Sequence, residues 1–100
     1  MNVKEFIELI EEELHDSKNY AIKAIEIKAM STSWGEKYLT LSKEEFNHAT
    51  ILFKMFQEFV QLYMKENGNI LPEYIEKYQD KITQEYAEKT AYIKHLHSMY

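Results

Sequence analysis

The sequence predicts an all-α fold: a long antiparallel helical hairpin followed by a third helix. Three observations predict it. Apolar residues recur at helical spacing over long stretches. Only two Gly and one Pro interrupt the 100 residues, which leaves little material for turns. The breakers that do occur, at residues 31–33 and 68–72, divide the chain into three long segments. One hundred residues make one domain, spanning residues 1–100.

Helix one is expected from about Val3 to Met30. Its inward face carries Val3, Phe6, Ile10, Glu13, Leu14, Ser17, Tyr20, Ala21, Ala24 and Ile25 at the helical period. Glu12 and His15 point away from that face. Ser31-Thr32-Ser33 then breaks the helix. Ser33 followed by Glu36 reads as a capping box, so helix two is expected from Trp34 to about Asn67.

Helix two carries the broadest apolar surface. Trp34, Tyr38, Leu41, Glu45, Ala49, Leu52, Phe56, Phe59, Val60 and Tyr63 share one face. Phe46, Ile51, Phe53, Met55 and Met64 widen it. Gly68 stops the helix, and Pro72 opens helix three, expected to run to about Met99. Helix three has a narrow stripe of Leu71, Ile75, Tyr78, Ile82, Tyr86, Ile93, Leu96 and Tyr100, with Lys89 inside it, and should pack on one side only. Helices this long have too few partners within one chain. Two hairpins brought together would form a four-helix bundle, so a homodimer or larger homo-oligomer is expected.

Composition removes several function classes. There is no cysteine, which excludes disulfides, iron–sulfur clusters and thiolate zinc sites. The net charge is −5 and every basic side chain is Lys, so bidentate Arg reading of bases or phosphates has no agent. No basic face is dense enough for nucleic acid. The N-terminal segment lacks a signal-peptide core, and no run is long enough to span a membrane. A cytoplasmic location is expected, with neither nucleic acid nor membrane as partner.

The chemistry concentrates at Glu45-Phe46-Asn47-His48, in the middle of the apolar face of helix two. A carboxylate and an imidazole three residues apart on one helix can hold one metal ion. Glu13 stands on the apolar face of helix one. Burying these groups without a compensating partner would be costly. One hairpin offers Glu13, Glu45 and His48; two hairpins about a two-fold axis offer four Glu and two His, the inventory of a di-metal carboxylate site. Such ligands suit iron or manganese. Glu12 and His15 have the same spacing but face solvent. Glu85, with Tyr92 seven residues on, is a weaker substitute ligand. His95 and His97 lack a carboxylate three residues before them and read as helix-end cations or solvent-facing residues.

These residues carry a resemblance. Glu13 with Tyr20, then Glu44-Glu45-Phe46-Asn47-His48-Ala49 after an interval of 32 residues from Glu13 to Glu45, resembles the first half of the ferritin-like superfamily. Ferritins and rubrerythrins share that Glu-to-Tyr spacing and a Glu-Glu-x-x-His-Ala segment. The likeness covers roughly residues 8 to 63. The whole pattern, with Leu41-Ser42-Lys43-Glu44-Glu45 ahead of the His and a Tyr-rich third helix, is similar to small ferritin-like proteins of Firmicutes and their phages. The resemblance implies a di-iron site at Glu13, Glu45 and His48, completed at a dimer interface as in the short encapsulated ferritins. Fe(II) oxidation is the reaction it implies. The chain departs from the pattern in having no fourth helix, no Glu-x-x-His on helix three and no rubredoxin-type cysteines. The alternative is a metal-free helical interaction or structural protein of phage or prophage origin.

Overall fold

Small residues line part of the contact between the first two helices. In the computed structural model, which describes residues 2–100, α1 (Val3–Ile27) and α2 (Thr32–Glu66) form an antiparallel hairpin, and α3 (Glu73–Met99) lies along it. Ser17, Ala21 and Ala24 of α1 meet Gly35, Ser42 and Ala49 of α2, all fully buried. Side chains this short let the two backbones approach closely. Ser17 Oγ donates to the main-chain oxygen of Ser42 at 2.8 Å, and Ser42 Oγ donates to that of Ser17 at 2.6 Å. The hydroxyls thus turn a polar pair into a reciprocal clasp with no unsatisfied group. Toward the other end the interface widens into a core of Val3, Phe6, Ile7, Ile10, Leu14, Phe53, Phe56 and Val60.

All described residues outside the turns are helical, and there are no strands among them. The helix limits differ slightly from expectation. α1 stops at Ile27, and residues 28–30 form the turn. Ser31, not Ser33, caps α2: it is extended, and its side chain accepts from the Trp34 amide at 3.2 Å. A Ser ahead of Thr-Ser leaves three candidate caps in a row, and the reach to the third amide is satisfied by the first. α1 carries a capping box of its own, with Asn2 and Glu5 bonded reciprocally. Past α2, Gly68 (φ 65°) and Asn69 (φ 61°) both take the left-handed conformation, and the Asn69 amide returns to the Met64 carbonyl at 2.7 Å. That is a helix stop of the kind Gly was expected to provide.

α3 covers one groove of the hairpin. Ile75, Ile82, Thr90, Ile93 and Leu96 are its buried residues. Tyr86 stacks on Phe53 with ring centres 4.1 Å apart and planes 9° from parallel. Its hydroxyl lies 3.0 Å from Thr50 Oγ1. Phe53, which was expected to widen an exposed surface, is thereby covered, and Phe46 is partly buried beside His97. The opposite groove of the hairpin has no helix across it. The resulting rod measures 57 × 19 × 17 Å, its length set by the 35 residues of α2. Its radius of gyration of 16.2 Å exceeds the ~13 Å of a compact chain of this length.

The stripe expected on α2 is displaced. Trp34 and Leu41 are exposed, and Tyr38 and Glu45 are only partly buried. The buried line runs through Gly35, Ser42, Ala49, Phe53, Phe56 and Val60, about 60° round the helix from Glu45 at the helical period. Ala49, Phe56 and Val60 of the expected stripe are buried, and it is its first half that is displaced, because there close backbone approach selected Gly35 and Ser42 over Trp34, Tyr38 and Leu41.

Candidate metal centre

Glu13, Glu45 and His48 come together at the open groove. A ligand atom from each lies within 4.8 Å of the others. His48 Nδ1 is 3.6 Å from Glu13 Oε2 and 3.6 Å from Glu45 Oε2. Glu45 and His48 are one turn apart on α2, and Glu13 reaches them from the flank of α1 that faces away from α3. Both carboxylates are partly buried, while His48 is half exposed.

Two details of this geometry matter. Separations of 3.6 Å are too long for hydrogen bonds. They match two ligand atoms each about 2.1 Å from one ion and subtending about 120° there. Second, Glu13 Oε2 is buried and has no hydrogen-bond partner. A buried carboxylate oxygen without a donor is an uncompensated cost that a cation would remove. The donor set of two carboxylates and one imidazole fits iron or manganese, so the residues present fit the implied metal.

The other expected positions fall as follows. His15 is exposed and bonded to Asn19 at 3.0 Å, away from the cluster. Tyr20 stacks on Tyr38 with ring centres 6.2 Å apart. Glu85 is not part of the cluster. It faces Glu11 across the α1–α3 interface, where Lys81 lies 3.8 Å from Glu85 and 3.9 Å from Glu11, and Lys89 lies 3.9 Å from Glu85. Burial raises the Glu11 pKa, and the hydrogen bond and charge of Glu85 push it the same way, against the two lysines. Glu85 was reached from sequence spacing alone, which does not say which neighbour a helix face meets.

His97 corrects the expectation of a solvent-facing or helix-end cation. Its Nε2 lies 2.7 Å from Ser42 Oγ, and its ring is tilted beside that of Phe46. The single hydroxyl proton of Ser42 is committed to the Ser17 carbonyl, so Nε2 is the donor. Burial lowers the imidazole pKa, and the charge of Lys43 adds to the effect. A serine and a histidine in contact invite a nucleophile–base reading. Ser42 is fully buried and its proton points the wrong way, so the pair is structural.

In comparisons with protein-family models, curated proteins and solved structures, nothing matches. No helix among the described residues is long and apolar enough to cross a membrane.

Proposed function

We propose that the chain is a small di-metal carboxylate protein of ferritin-like type, binding iron or manganese. Glu13, Glu45 and His48 form half of its site, and the same residues of a second copy complete it. The observation that carries this reading is the buried, partnerless Glu13 Oε2 set 3.6 Å from His48 Nδ1, with Glu45 at the same distance. The two carboxylates neutralise cation charge, and the imidazole adds a neutral ligand from the open side. When bound, iron supplies one-electron chemistry toward O2 or peroxide, which makes Fe(II) oxidation the proposed reaction. The chain's own residues hold the ion on two rigid helices rather than on loops, which fixes ligand geometry.

Metal analysis of protein purified without chelator, followed by calorimetric titration with Mn(II), tests the reading. His48→Ala should weaken Mn(II) binding by at least about tenfold, the smaller end of what loss of even a supporting group costs. His15→Ala should bind as the parent does. Equal affinities in the two variants, or no binding by the parent, would overturn the proposal. The rival reading, a metal-free interaction protein, is favoured by the exposed apolar residues Trp34, Met55 and Leu62. Metal content separates the two.

A further inference from the structure

The open groove is bordered by two rows of α2 residues with a period of seven. Trp34, Leu41, His48, Met55 and Leu62 form the outer row, and Tyr38, Glu45, Leu52 and Phe59 form the inner one. The four apolar members of the outer row are 59%, 37%, 44% and 58% exposed, in chain order. Two adjacent rows at heptad spacing are the seam of a helix–helix interface. The outer row stands clear of the face that packs on α1 through Gly35, Ser42 and Ala49, whereas the inner row borders α1: Tyr38 stacks on Tyr20 and Phe59 lies against Phe6. From Trp34 to Leu62 the seam is about 42 Å long. Over the ~10 Å diameter of one helix that strip is on the order of 400 Å² in projection, so α2 alone supplies about half of one side of a standard interface and the flank of α1 beside it supplies the rest.

We infer that this seam receives the α2 helix of a second copy, antiparallel, about a two-fold axis between Glu45 and His48. The polar residues decide the register. Pairing the inner row of one copy with the outer row of the other can be done in steps of one heptad. Only one step sets Glu45 against the partner's His48. It also sets Leu41 against the partner's Leu52, Tyr38 against the partner's Met55 and Trp34 against the partner's Phe59, three apolar layers, with Leu62 left at the end of the seam. Moving one heptad sets Glu45 against the partner's Met55 and His48 against the partner's Leu52, which buries two polar groups on apolar ones. A parallel pair would set Glu45 against itself, a like-charge contact.

The inference deepens the metal reading and rests on it in one respect: Glu45 and His48 of both copies then meet at the axis, where a two-metal site needs them. The apolar layers stand without metal. α3 lies on the far side of the hairpin and does not obstruct this approach.

The chain has no cysteine, so introduced thiols report the register directly. Leu41→Cys/Leu52→Cys should form disulfide-linked dimers on mild oxidation, with EDTA or with Mn(II) present. Neither single variant should, because its own copies lie about 16 Å apart along the pair. Leu41→Cys/Phe59→Cys reports the neighbouring register and should not link. The exposed pair Leu41→Glu/Met55→Glu should keep its helicity yet sediment as a monomer at tens of micromolar, where the parent sediments as a dimer. Links in either single variant, links only in the neighbouring register, or a monomeric parent overturn the inference. A dimer with the stated links that binds no Mn(II) sinks the metal reading alone. Mn(II) binding without those links sinks the register alone.

Discussion

His97 shows how one partly buried side chain ties three helices together. Its Nε2 donates to Ser42 Oγ, which donates to Ser17 O, so α3, α2 and α1 share one chain of hydrogen bonds. The imidazole is partly buried, and its pKa is lowered by burial and then by Lys43. The sign of the pH dependence follows. Above about 6.5, the ordinary imidazole value, folded and unfolded chains are both neutral at this position and stability is unaffected. As pH falls through that value the unfolded chain takes up a proton that the folded chain refuses, so stability drops. The drop continues until the pH reaches the lowered folded value. Thermal melts in EDTA between pH 7.5 and pH 5 should therefore fall more steeply for the parent than for His97→Gln, whose amide can still donate to Ser42. Parallel curves would mean that His97 is not the group titrating.

The α1–α2 pair shows why a helix can prefer a residue of poor helix propensity. Gly35 lies in the first turn of α2, where Ala would by propensity alone add up to ~1 kcal/mol. A Cβ there would stand 3.2 Å from the Lys28 Cα and 2.8 Å from the Tyr100 hydroxyl. Tyr100 is held by Lys28, which lies over its ring at 4.5 Å and bonds its main-chain oxygen. The tyrosine can swing aside, but the Lys28 backbone cannot without opening the hairpin. Overpacking of this kind costs about 1–3 kcal/mol. Gly35→Ala is expected to lower stability in chemical denaturation by roughly 1 kcal/mol net. A gain in stability would show that the turn has slack that the close approach hides.

The whole molecule is an unusually elongated rod. Its accessible surface of 6592 Å² exceeds the ~6000 Å² expected of a compact chain of 12.1 kDa. The excess lies partly on the groove that α3 leaves open. If association covers that groove, folding and assembly are linked, and the melting temperature depends on chain concentration. A rise in Tm of a few degrees per tenfold increase in concentration is expected, with a further rise on adding Mn(II). A Tm that is flat from one to one hundred micromolar, with and without Mn(II), would leave the single rod as the stable unit.

Much of this arrangement is legible in the residues alone. Helical periodicity and the breakers at 31–33 and 68–72 place three helices to within three residues, because local hydrogen bonding and turn chemistry decide helix limits. The spacing of Glu45 and His48 sets them on one face of α2, again a local property of the helix. The sequence also distinguishes His48 from His15, since the two sit on different faces relative to the apolar stripe. What it does not decide is which face of α2 meets which neighbour. Ser42 and Gly35 look like surface or breaker residues, yet they join Ser17, which the helical period does place inward, in the contact between α1 and α2, because close approach rewards small volume and an apolar count does not. For the same reason His97 and Glu85 were misplaced: their partners stand on other helices, 55 residues away for Ser42 and His97. Tertiary packing alone placed α3 in one groove of the hairpin and left Glu13, Glu45 and His48 in the other, because the rotation of each helix about its axis is set by side-chain volumes on all three helices at once.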